Sequence, residues 1–161
     1  MKRALSLILV LHIAALLAAA LSGCGKTPSA RELIIEFQRA YGTDHTVYSP
    51  DVPEGEAGYI GEEFFSLLYS GAQSYVSDYA VASGSDLFSV SECAIFVCKE
   101  EYGAERVCLY LSERIKLLRG AAKLSGIDFP EGAFVKRYGK IAVMCVLADP
   151  ARAERIFDKI I

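Results

Sequence analysis

Gly25-Lys26-Thr27 is the run that ends a phosphate-binding loop, where lysine reaches the phosphates and threonine the magnesium ion. That loop needs a glycine five residues before Gly25, a strand ahead of it and a helix directly behind. Ala20 stands at the glycine position, an uncharged apolar run from Ala4 to Ala20 takes the place of the strand, and Pro28 interrupts the helix. A nucleotide-binding loop is therefore rejected.

The same stretch supports a different chemistry, at sulfur. Lys2 and Arg3 form a positive start, residues 4–20 an apolar stretch, and small residues lead up to Cys24. Leu21-Ser22-Gly23-Cys24 resembles the lipobox of bacterial lipoproteins at every position. The resemblance implies cleavage before Cys24 and a diacylglyceryl thioether on its sulfur. Other readings of the segment are an ordinary signal peptide or an uncleaved anchor, which needs roughly 20 apolar residues. Residues 1–23 are thus expected to be a lipoprotein signal peptide, 24–28 a short tether, and 29–161 one extracytoplasmic domain.

Within that domain, chemistry-bearing residues are sparse. His12 lies in the signal segment, so His45 is the remaining histidine and a zinc site of two or three histidines is not expected. Asp44-His45 reads as a solvated loop pair, with no G-x-S-x-G or S-x-x-K run to supply a nucleophile. Carboxylates between Asp44 and Glu63 lack the spacing of a calcium loop. Cys93, Cys98, Cys108 and Cys145 sit in apolar segments without a C-x-x-C, and read as buried hydrophobes. Cys93 and Cys98, five apart on one strand, fall on opposite faces and cannot bond each other. A disulfide between Cys145 and a neighbouring strand stays open. Neither a metal nor another cofactor is expected, and no catalytic residue is assigned.

Charge and aromatics are uneven. From Ala40 to Cys98 there is no Lys or Arg, against nine acids, and Tyr41, Tyr48, Tyr59, Tyr69, Tyr75 and Tyr79 fall in the same stretch. Tyrosines beside carboxylates can form a site for a peptide or a sugar; the same tyrosines also serve as half-buried packing. After loss of Lys2 and Arg3, Lys+Arg is 17 − 2 = 15 against 20 acids, a net −5 that argues against nucleic acid as partner. Lys116, Arg119, Lys123, Lys136, Arg137 and Lys140, sharing one face, would turn toward anionic lipid.

The elements that must position these residues follow from caps and periodicity. Ser29 with Glu32 makes a capping box for a helix ending at Gly42. Residues 43–60 read as a loop and 62–69 as a short helix. Residues 74–83, 91–99 and 140–147 read as strands. A helix opens on Glu100, Glu101 and Glu105 and closes at Lys116, Arg119 and Gly120, with Val107, Cys108, Leu111, Ile115 and Leu118 inward. Asp149-Pro150 caps the last helix. The strands at 91–98 and 141–147 flank a helix, which predicts a parallel crossover, with 74–83 antiparallel at the sheet edge. Apolar residues on both faces of the last two strands call for cover on both sides, or a partner on one. The expected fold is α/β or α+β: one domain with a small mixed sheet of three to four strands and packed helices.

The lipobox, the early capped helix, "YVSDYAVAS", "ECAIFVCKEEYGAERVCLYLSERI" and "YGKIAVMCVLADPARAERIF" resemble a family of small lipoproteins of Gram-positive anaerobes, catalogued as a domain of unknown function, number 4358. The resemblance implies the compartment and a single domain, and no activity. Cys24 is the one functional residue it carries. The expectation is a non-enzymatic binding or accessory lipoprotein. It would sit on the outer face of the cytoplasmic membrane, held by its diacylglyceryl anchor, with an envelope protein or peptide as partner. Alternatives are an extracytoplasmic hydrolase built on a paired, buried Asp/Glu, and a structural subunit with an uncovered apolar sheet face.

Overall fold

A computed structural model describes residues 28–84 and 90–161; residues 1–23, Cys24 and 25–27 lie outside the described residues. In chain order the elements are α1 (Ala30–Tyr41), β1 (Thr46–Tyr48), α2 (Glu62–Leu68), β2 (Val76–Ser83), β3 (Glu92–Cys98), α3 (Glu101–Ser125), β4 (Phe134–Tyr138), β5 (Ile141–Val146) and α4 (Pro150–Ile160). They form a single α+β domain around one antiparallel sheet in the order β1-β2-β3-β5-β4.

Local chemistry sets the helix ends. Ser29 Oγ accepts from the Glu32 amide while Glu32 Oε2 accepts from the Ser29 amide at 2.8 Å, satisfying two otherwise orphaned donors. Gly42 stops α1 at φ 83°, a left-handed conformation that costs glycine little. Asp149 Oδ1 accepts from the Arg152 amide and Pro150 opens α4.

Strand alternation builds two cores. Val81, Ala94, Phe96, Ala142 and Met144 face α2 and α3. Ala80, Ala82, Cys93, Ile95, Val143 and Cys145 face α1 and α4. Phe37 of α1 stacks on Phe157 of α4 at 4.2 Å between centroids, closing the second layer. Burying each ring contributes about 1.5–3 kcal/mol. Both faces of the sheet are covered by helices.

The α+β class stands as expected, but the sheet has five strands rather than three to four and is antiparallel rather than mixed. β3 and β5 pair antiparallel, with Cys93 opposite Cys145. The reason is a strand that sequence reading passed over: β4, an edge strand carrying Lys136 and Arg137. It joins β5 through a two-residue turn at Gly139 (φ 57°) and Lys140. The crossover helix α3 therefore links β3 to β4, and β5 folds back between them. Residues 46–48, expected within a loop, form the outer strand β1, so β2 lies inside the sheet rather than at its edge. Finally, α3 passes Gly120 and ends at Gly126, because Leu118 and Ala122 continue its buried face. The inward residues Val107, Leu111, Ile115 and Leu118 are as expected; Cys108 is half-buried.

The link between β1 and α2 is held by Gly58. Its φ is 94°, Ser49 N donates to its carbonyl at 2.9 Å, and an added Cβ would stand 2.6 Å from the Val47 carbonyl oxygen. Gly58→Ala is expected to cost more than about 1 kcal/mol of stability, since both φ and space are wrong for alanine. Urea denaturation of the domain measures it; Gly55→Ala, at similar φ but meeting nothing within 4 Å, is the strain-only control.

Candidate functional site

Two places among the described residues are candidates for a site, and they differ in kind. The first lies inside the core. Glu92 opens β3 and is fully buried; Arg114 of α3 reaches it with Nη2 at 2.7 Å from Oε2 and Nε at 3.2 Å from Oε1. Tyr69, just after α2, donates its hydroxyl to Glu92 Oε1 at 2.7 Å. Burial, then the neighbouring carboxylate, pushes the Tyr69 hydroxyl well above the usual tyrosine range, so it stays a donor. The guanidinium also lies 5.7 Å from the Tyr69 ring centre. A carboxylate bonded this way by a bidentate cation and a phenol is neither a free base nor a nucleophile. It is a structural clasp.

The second place is an open groove beside α2. A concavity of about 730 Å³ is lined by Glu54, Tyr59, Ile60, Glu62, Glu63, Phe64 and Leu67. A smaller one of about 350 Å³ adjoins it, sharing Tyr59, Ile60, Gly61 and Glu62 and adding Phe65, Gln73 and Tyr79. Gly61 lets the Tyr59 ring lie close: an added Cβ would stand 2.9 Å from its hydroxyl. Tyr79 stacks on buried Phe65 at 4.0 Å and donates to the Ile60 carbonyl at 3.3 Å. Burial, followed by the charge of Glu62, pushes its hydroxyl up to about 12. The floor is thus aromatic and neutral, and the rim carries three exposed carboxylates. Residues 40–98, which supply the groove, contain no Lys or Arg.

Other expected residues disperse. Cys24 lies outside the described residues. His45 is half-buried rather than solvated, and desolvation, partly opposed by Asp44, lowers its pKa. Cys93, Cys98, Cys108 and Cys145 are free thiols. Burial pushes Cys98 up to about 11 and raises Cys93 and Cys108, which disfavours the reactive thiolate. Among the described residues, no three His, Cys, Asp or Glu side chains gather to hold a metal.

The basic residues do not make one face. Lys136 bonds Glu154 and Asp158 of α4 at 2.9 and 2.7 Å. Arg137, one residue on, lies on the other side of the strand, 3.5 Å from Glu101 and 3.9 Å from Glu105. Lys140 reaches the Lys99 carbonyl. Lys116, Arg119 and Lys123 stand apart on the last turns of α3. The Ala30 amide donates to Asp78 Oδ2 at 2.7 Å near the start of β2, at the sheet end that carries Lys140 and away from the last turns of α3. Adjacent strand residues alternate sides, which is why a run of bases in sequence is not a surface in space.

No family model matches the chain, and neither a curated protein nor a solved structure matches it.

Arg114→Met would leave a buried unpaired carboxylate and is expected to cost about 3–5 kcal/mol. Adding Glu92→Met and Tyr69→Phe removes every polar member and should recover most of that loss, because the charge is no longer stranded. Chemical denaturation of the two variants and the wild type checks the order; a triple variant no more stable than Arg114→Met would contradict the clasp.

Proposed function

We propose that the chain is a lipid-anchored protein of the cell envelope, held by Cys24 on the outer face of the cytoplasmic membrane, and that it works as a non-enzymatic binding or accessory protein. The family reading belongs to the same proposal: a small lipoprotein resembling those of Gram-positive anaerobes. The observation that carries the binding role is the groove, where Tyr59, Phe64 and Leu67 meet Glu54, Glu62 and Glu63. Its carboxylates are exposed at the rim of an aromatic floor, so they suit recognition of positive charge. The fitting ligand is an extended peptide bearing Lys or Arg beside an apolar residue.

A carboxylate hydrolase is less well supported. The buried carboxylate such an enzyme would use is, among the described residues, Glu92, and Arg114 and Tyr69 occupy both of its oxygens. The structural-subunit reading based on an uncovered sheet face finds no support in a sheet covered on both sides.

Two measurements test the proposal. Metabolic palmitate labelling should mark the wild type and spare Cys24→Ala; label retained by the variant would sink the anchor. For the groove, NMR titration with Lys-containing and neutral peptides of equal length should move Tyr59, Gly61 and Leu67 amides for the former only. Glu62→Gln with Glu63→Gln should weaken that binding by about tenfold, the worth of one charge-assisted hydrogen bond. Equal shifts with both peptides would remove the role given to the carboxylates.

A further inference from the structure

The outward face of α3 carries an apolar stripe that the groove does not use. Tyr102, Leu109, Leu117 and Leu124 are 62, 56, 65 and 91% exposed, on the side of the helix opposite the buried Val107, Leu111, Leu118 and Ala122. Scattered exposed leucines are ordinary. These four are ordered by symmetry. At 3.6 residues per turn, Tyr102, Arg106, Leu109, Glu113, Leu117, Gly120 and Leu124 form one line. About Glu113 the four apolar side chains stand at matching distances from either end, with Arg106 and Gly120 as the unlike pair between them.

We propose that this stripe docks on a second copy of the chain as an antiparallel α3 pair with its twofold axis at Glu113. That register sets Tyr102 against Leu124 and Leu109 against Leu117. Gly120 stands opposite Arg106, which is half-buried against Tyr75 and Tyr110 of its own chain; the missing side chain leaves open space there, with nothing within 4 Å. A twofold contact uses the same patch twice, which a palindromic stripe satisfies and a one-directional stripe does not.

The charges beside the stripe agree. On one flank, Glu101 and Glu105 occupy the first turns and Lys116, Arg119 and Lys123 the last. A twofold perpendicular to the helices brings a flank against the same flank reversed, so Lys123 arrives between the partner's acids. In the single chain those acids stand 3.5 and 3.9 Å from Arg137, longer contacts than the other ion pairs among the described residues. The two Glu113 carboxylates at the axis each carry Lys116 at 2.6 Å, which offsets their repulsion. A parallel pair, related by an axis along the helices, would set this flank against the partner's opposite flank and lose the acid–base pairing. One helix pair falls short of the roughly 1,600 Å² of a standard interface, so the association is weak and concentration-dependent.

Cysteine crosslinking of the full chain in intact membranes tests the register. Under a mild thiol oxidant such as diamide, Glu113→Cys should give a covalent dimer, because each cysteine meets its own copy at the axis. Gly120→Cys should not, since its partner position is Arg106; the wild type, with its own thiols, sets the background. Co-expressed Leu109→Cys and Leu117→Cys chains should form mixed dimers. Leu124→Glu, a change at an exposed position, should reduce the Glu113→Cys dimer at least fivefold while the circular dichroism spectrum is unchanged. Absence of the Glu113→Cys dimer overturns the proposal, as does equal crosslinking from Gly120→Cys. A monomeric Glu113→Cys chain with Leu124→Cys shielded by lipid would overturn it in favour of a bilayer contact.

Discussion

The ion pair between Glu92 and Arg114 is the constraint around which the domain is arranged. A carboxylate at the head of a central strand, fully buried, tolerates ionisation only with its oxygens occupied. Tyr69 and Arg114 occupy them, and each comes from a different segment packed on the same side of the sheet. Arg114 lies 13 residues after Glu101, about 20 Å along a helix. That matches the length of the seven-residue strand β3, about 23 Å. The helix must therefore run back along the sheet from one end to the other before the arginine reaches its partner. Helix position, rotation and direction are set together.

Legibility in the sequence followed how local each signal is. The capping box at Ser29 and Glu32, the Gly42 stop and the Asp149-Pro150 start are satisfied within a few residues, and all three appear where they were read. The buried face of α3 was equally readable from its spacing. Sheet order was not, because it depends on β4, whose Phe134, Lys136 and Arg137 mix charge with bulk as an edge strand does. The available clue was the two-residue turn Gly139-Lys140. It announces a hairpin and so excludes β5 as the direct, parallel partner of the helix-linked β3.

The candidate sites divide in the same way. Composition pointed to the stretch with tyrosines and acids but no bases, and Tyr59, Tyr79, Glu62 and Glu63 do converge there. Tyr41, Tyr69 and Tyr75 do not join them. Tyr41 instead links the end of α1 to the start of α4, accepting from the Asp149 amide at 2.9 Å. The lone acid at the head of an apolar strand was the available sign of the clasp. It was invisible as such, because Arg114 lies 22 residues away and looks like one more base on a helix.

Clasp and stripe are two consequences of one helix. A helix with leucines at Leu109, Leu117 and Leu124 would ordinarily gain by rotating them inward. Here rotation would expose the buried Val107, Leu111, Ile115 and Leu118, which offsets the gain leucine for leucine, and would carry Arg114 away from Glu92 and strand a charge, at about 3–5 kcal/mol. The apolar stripe is thus kept outside by the apolar face and the ion pair on the inside. None of the groove's lining residues belongs to α3, so a second copy seated on the stripe would leave Tyr59, Glu62 and Leu67 free to meet a ligand.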